Sequence, residues 1–136
     1  MATRPREDQI AKLMTAGPEG PIVMVNLLKY RDAAAYRADK PEAKETLTGR
    51  EAYLRYGVEV SKILAKIGAR IVWQGHQSLV MIGEGDGWDD VVCVRYPSRQ
   101  AFLGMASSAE YNAIHYHRDA GLADTVLLCC EAGSAA

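Results

Sequence analysis

Two segments of this chain are apolar on both faces of a strand, at almost every position, and no sheet with one wet face can hold such segments. The first, Ile22-Val23-Met24-Val25-Asn26-Leu27-Leu28, is bounded by Gly20-Pro21 and by Lys29. A run this short between turn and charge signals reads as a buried strand, not a helix. Side chains alternate along a strand, so Ile22, Met24 and Leu28 share one face and Val23, Val25 and Leu27 the other. The second segment behaves alike: Val126, Leu128 and Cys130 oppose Leu127 and Cys129. Antiparallel sheets with helices on one side normally alternate apolar with polar residues. Here something must cover the second face, because burial stabilises by roughly 25 cal/mol per Å2 of apolar surface. The simplest cover is the same sheet of an identical chain, related by a two-fold axis.

The rest of the chain supplies the elements around those strands. Residues 5–16 carry a short apolar stripe (Ile10, Leu13, Met14) that Gly17-Pro18 stops, which predicts a helix packed on the main fold. The connection 31–46 is polar, with Pro41 inside it, and has room for a helical turn. Thr48 and Glu51 form a capping box for a long helix whose apolar face is Tyr53, Tyr56, Val60, Ile63, Leu64 and Ile67, ended by Gly68. Ala69–Gly75 and Ser78–Ile82 both read as strands, with a bend or bulge at Gly75. A glycine-rich turn, residues 83–87, leads into a strand over Trp88–Tyr96, stopped by Pro97. Ser98 opens a short helix to Met105, and Ser107 with Glu110 forms a second capping box for a helix to Ala120. The last strand lies within Asp124–Glu131.

This order predicts an α+β fold: a ferredoxin-like sandwich with an antiparallel four-stranded sheet and helices on one face. The expected organisation is a helical extension over 1–19, the sandwich over 20–131, and a frayed tail over 132–136.

Composition narrows the partners. A net charge of -1 argues against work that depends on coating nucleic acid or an acidic membrane, which needs a broadly basic surface, and leaves room only for a local basic patch. No apolar run approaches the roughly 20 residues that cross a bilayer, and the first residues lead into no signal core, so a cytoplasmic protein is expected. Cys93, Cys129 and Cys130 sit in apolar strands without a Cys-x-x-Cys pair, which reads as buried small hydrophobes.

The chain resembles the domain of unknown function 1330 family of the dimeric α/β-barrel superfamily. The resemblance is carried by Val25-Asn26-Leu27-Leu28-Lys29-Tyr30, by Gly75–Gly83, and by Val92–Arg118 with its Arg95-Tyr96-Pro97-Ser98, Phe102, Ser107-Ser108-Ala109-Glu110-Tyr111 and Arg118. What it implies is the sandwich fold and a homodimer, or a higher oligomer built from such dimers.

The candidate chemistry lies on the helix before the last strand. His115 and His117 differ by about 200° around a helix, so they diverge and predict no metal site. Tyr111, His115 and Arg118 share one face. An Arg and a His on a face turned toward a sheet either form edge salt bridges or line a cavity. In the second case Arg118 is an anion clamp and His115 an acid or base. Asn26 and Arg95 interrupt apolar strands and are the polar groups expected at the centre of such a pocket. Its walls are expected from Tyr53, Tyr56, Trp73 and Met105, and its ligand is a small organic acid or phenol. Gly83-x-Gly85-x-Gly87 leads into a strand and offers no helix N-terminus to a phosphate. The sequence therefore leaves two readings: a cofactor-free enzyme, or a non-catalytic binding or stress-related dimer. The convergence of Asn26, Arg95, His115 and Arg118 distinguishes them.

Overall fold

The computed structural model describes residues 3–85 and 87–133. Its elements are α1 (Glu7–Ala16), β1 (Ile22–Tyr30), a 3-10 turn (Pro41–Lys44), α2 (Gly49–Lys66), β2 (Arg70–His76), β3 (Asp90–Tyr96), α3 (Arg99–Ala106), α4 (Ala109–Gly121) and β4 (Leu122–Glu131). The strands form one antiparallel sheet in the order β2-β3-β1-β4. β1 is thus flanked on both sides, as its apolar sequence requires, while β2 and β4 are edges.

Register assigns the faces. Val23, Val25 and Leu27 stand opposite Arg95, Cys93 and Val91 of β3, and opposite Cys130, Leu128 and Val126 of β4. These residues line the face without helices. On the other face Ile22, Met24 and Leu28 are 0%, 3% and 0% exposed. Ile22 and Met24 pack with Tyr56, Val60, Ile63 and Leu64 of α2, Phe102 and Met105 of α3, and Tyr111 of α4. The buried positions of α2 recur at helical spacing, which is why this helix lies along the sheet.

The caps form largely as expected. Thr48 and Glu51 close a capping box on α2. α4 is capped by Ser108, whose Oγ accepts from the Tyr111 N–H, and not by Ser107, which ends α3. A pair of glycines fixes where α2 starts. Gly49 donates to the Arg31 carbonyl at 3.0 Å, and Arg31 donates to the Gly121 carbonyl at 2.8 Å. A Cβ on Gly121 would lie 2.6 Å from the Gly49 oxygen and 3.0 Å from the Tyr53 nitrogen, so the two backbones touch only because both residues lack side chains.

Three expectations need correction. Ser78–Ile82 is not a strand but part of an irregular connection, with Met81 82% and Ile82 95% exposed, because no neighbouring strand in this chain reaches it. The irregularity in β2 falls between Ile71 and Trp73, not at Gly75. Cys129 and Cys130 are exposed and Cys93 is only half-buried, since β4 is an edge strand that is open on both sides beyond Thr125. Helix α1 buries no residue outright. It is held through Leu13 against the core and through Arg99, which donates to the Gly17 and Pro18 carbonyls. Residues 1, 2, 86 and 134–136, including Asp86 of the glycine-rich turn and most of the tail, lie outside the described residues.

Candidate functional site

α4 carries the site because its inner face is polar where a packing face is normally apolar. Tyr111, His115 and Arg118 are 9%, 7% and 6% exposed. The Tyr111 hydroxyl is 3.0 Å from that of Tyr56 on α2. Ring contacts then run in an unbroken line. Tyr30 meets Tyr53 at 5.6 Å, Tyr53 meets Tyr56 at 5.3 Å, Tyr56 meets Tyr111 at 6.1 Å, and Tyr111 meets His115 at 5.3 Å. Burial pushes Tyr53 up to about 12, although the nearby Arg118 charge opposes it. Burial likewise raises Tyr56, Tyr96 and Tyr111, so these phenols stay neutral and can donate.

At the end of this seam, His115 Nδ1 is 3.1 Å from Asp119 Oδ2, one helical turn on. The same oxygen accepts from Arg4 Nη2 at 2.6 Å. Burial alone would raise the Asp119 carboxyl, but the His115 and Arg4 contacts outweigh it and hold it at about 2. Its Oδ1 is buried without a partner. Arg118 Nη1 donates to the Thr3 carbonyl at 2.7 Å, and among the described residues no carboxylate pairs with this guanidinium. The N-terminal segment therefore lies over His115 and Arg118. Asn26 is on the same side of the sheet, beside Met24 and Leu28, and its Nδ2 donates to the Val92 carbonyl at 3.0 Å.

The remaining expected residues are not brought here. Trp73 pairs in register with Cys93 and is 58% exposed on the face without helices. Arg95 pairs with Val23 and Arg70 on that same face, with its Nε buried and unpartnered. The sheet separates both from α4. The shift in β2 is what turns Trp73 outward, and nothing in local spacing announces it. Met105 belongs to the core and to an outer cleft of about 350 Å3 shared with Ile63, Ile67, Gln100 and Gly104.

Two polar centres lie outside the residues that the sequence singles out. Asp90, 8% exposed, accepts from Tyr30 Oη at 2.5 Å and Arg50 Nη1 at 2.9 Å, and its other oxygen bonds His76 Nδ1. On the outer side of α4, His117 Nδ1 is 2.8 Å from the Tyr36 hydroxyl, and Tyr116 donates to Glu42 at 2.8 Å. His117 borders a cleft of about 320 Å3 with Glu42, Arg55, Val58 and Glu59. The two histidines thus diverge, as their spacing requires. The described residues contain no group of three or more His, Cys, Asp or Glu that could hold a metal ion. The His115–Asp119 pair was readable from its i,i+4 spacing, whereas the Asp90 centre depends on register between three strands.

An antiparallel sheet in this strand order, with its helices on one side, is a ferredoxin-like α+β fold. Within that class, the chain belongs to the family described as domain of unknown function (DUF1330), whose model matches residues 42–131. It is similar to a Rhodopseudomonas palustris protein of unknown function, with 33% identity over 96% of each chain and a TM-score of 0.84. A dimeric protein of unknown function and ferredoxin-like fold from Bacteroides fragilis shares the architecture at 14% identity, over 82% of this chain and 96% of that one, with a TM-score of 0.50. So does the hydroxynitrile lyase of Passiflora edulis, at 9% identity, over 86% and 97% of the chains and with a TM-score of 0.53. No curated protein matches the chain. Among the described residues no helix is long and apolar enough to cross a membrane.

Proposed function

We propose that this protein is a cytoplasmic homodimer that binds a small organic acid or acidic phenol between sheet and helices, at Arg118, His115 and the tyrosine seam. The observation that carries the reading is Arg118 itself: a guanidinium 6% exposed, held by a backbone carbonyl and by no carboxylate among the described residues. A buried cation without a counter-ion costs several kcal/mol, and an anionic ligand removes that cost. In this arrangement Arg118 clamps the carboxylate or phenolate. Tyr53 and Tyr111 donate hydroxyl hydrogen bonds to it, and Asn26 offers an amide from the sheet. His115, oriented by Asp119, gives or takes a proton at its free Nε2. No cofactor or metal is required for such proton transfer.

The homodimer follows from the apolar face of the sheet, and the dimeric Bacteroides fragilis protein shares the fold. Neither nucleic acid nor an acidic membrane suits a chain of net charge -1. A second reading, a non-catalytic binding or stress-related dimer, is favoured by one contact. Thr3 already occupies Arg118, so a ligand must displace the N-terminal segment.

Calorimetric titration with benzoate, salicylate and short aliphatic acids tests the site. Arg118→Ala is expected to lower affinity at least ten-fold while the dimer stays folded. Equal binding by both proteins would move the pocket elsewhere. Unfolding of the variant would make Arg118 a structural residue, and an absence of binding would remove the proposal.

A further inference from the structure

The connection between β2 and β3 spans residues 77–89, far longer than the 2–5 residues that usually join a hairpin, and its described residues carry no regular secondary structure. Its base is closed by the Gln77 N–H donating to the Asp89 carbonyl at 2.9 Å. Beyond that bond four apolar residues follow one another, and Leu79, Val80, Met81 and Ile82 are 63%, 39%, 82% and 95% exposed. Isolated exposed hydrophobes need no explanation, but a contiguous run of them marks an interaction surface.

We infer that this segment is an arm that packs on a second copy of the chain, alongside that copy's β4. The inference rests on the homodimer reading above and adds a contact to it. Three observations favour a second copy. First, the arm follows β2, a sheet edge whose Ile71, Val72 and Trp73 are 42%, 36% and 58% exposed, so one edge of the chain presents two apolar stretches, with the largely polar residues Gln74 to Ser78 between them. Second, the other edge offers a matching strip: Val126, Leu127 and Leu128 of β4 are 37%, 37% and 48% exposed on both sides of the strand. A two-fold axis that brings one β2 edge beside the other β4 forms both contacts at once. Third, the areas agree. With aliphatic side chains on the order of 100 Å2 each, the arm exposes on the order of 300 Å2, a little over a third of the roughly 800 Å2 per partner that stable interfaces bury. A lipid surface is the poorer occupant, because Glu84 on the arm and Asp89 at its base would meet anionic headgroups.

The test uses the full chain. Light scattering across a dilution series compares the wild type with Met81→Asp/Ile82→Asp, and circular dichroism reports folding. The arm is exposed in a single chain, so the variant should keep its spectrum while its dimer dissociation constant rises at least a hundred-fold. Leu79→Ser/Ile82→Ser, milder and free of new charge, should weaken the dimer in the same direction. Amide exchange over residues 78–83 should be slow in the wild-type dimer and fast in either variant. A wild-type dimer matched in affinity by both variants would overturn the arm while leaving the homodimer intact. A wild-type monomer would overturn both. Co-sedimentation of the wild type, but not the variants, with phosphatidylserine vesicles would assign the arm to lipid and overturn the inference.

Discussion

The two faces of the sheet are built from alternate residues of the same strands, yet one is finished and the other is not. Beneath the helices, Ile22, Met24 and Leu28 are at most 3% exposed. One residue along, Val23, Val25 and Leu27 are half-exposed, and the β4 residues beside them are open. The polar groups are divided just as unevenly. The covered face holds a tyrosine seam, a histidine–aspartate pair and Arg118, whereas the open face holds Arg70 and Arg95 at one end. A covered face can position chemistry because it excludes water. An open apolar face can only recruit another surface.

That contrast can be broken most sharply by placing one charge on each side. Met24→Asp should cost more than about 4 kcal/mol and unfold the chain, because the carboxylate would be buried without a partner. Val25→Asp, the next residue, should leave a folded protein of monomeric mass. Chemical denaturation and light scattering of the two variants give the answer, and equal destabilisation would erase the distinction between the faces.

A smaller effect tests the charged pair on the covered side. Asp119 is held at about 2, below its ordinary 3.8, so the unfolded chain takes up the proton first. Its stabilisation is full above pH 3.8 and is lost as pH falls through about 2. Discounted for solvent screening of the partly exposed pair, the size is on the order of 1 kcal/mol, and Asp119→Asn should remove both that amount and the acid-side slope in denaturation curves. An unchanged slope would mean that His115 and Arg4 do not hold the carboxylate.

The smallest effect belongs to His117. Burial holds it below its ordinary 6.5, with Glu42 opposing, so the folded chain keeps this imidazole neutral. Stability is then full above pH 6.5 and declines as pH falls below it, because the unfolded chain binds the proton more readily. Replacing His117 by Gln should flatten the melting temperature between pH 7 and 5. A slope that survives the substitution would assign it to another group.

Local pattern carried most of the fold. Two-sided strands, capping residues and the spacing of Tyr56, Val60, Ile63 and Leu64 each act within a few residues, so they were legible. Apart from the cap of α4, which Ser108 supplies and not Ser107, the failures involve neighbours distant in sequence. Leu79 to Ile82 have strand-like residues but no strand to pair with in this chain. Cys129 and Cys130 are apolar in context but sit on an edge. Trp73 and Arg95 were expected beside His115, and a one-residue shift in β2, with the alternation of β3, sends them through the sheet instead. The α4 cluster was legible because a single helix carries it. Its covering by Thr3 and Arg4 was not, since those contacts span 115 residues.

The pairing of β1 with β4 has a consequence for how the chain comes into being. Ile22 lies opposite Glu131, so one flank of the central strand is supplied by a strand made about a hundred residues later. During synthesis β1 must wait, with its hydrogen-bonding groups unpaired on that side, until β4 is available. Long-range pairing of this kind slows folding, with rates toward the millisecond-to-second range, because a large loop must close before any contact rewards it. In that interval the apolar run of β1 and the residues 79–82 are uncovered together, and a nascent chain in this state is open to aggregation. Refolding yield should therefore fall with protein concentration more steeply than native stability alone would suggest.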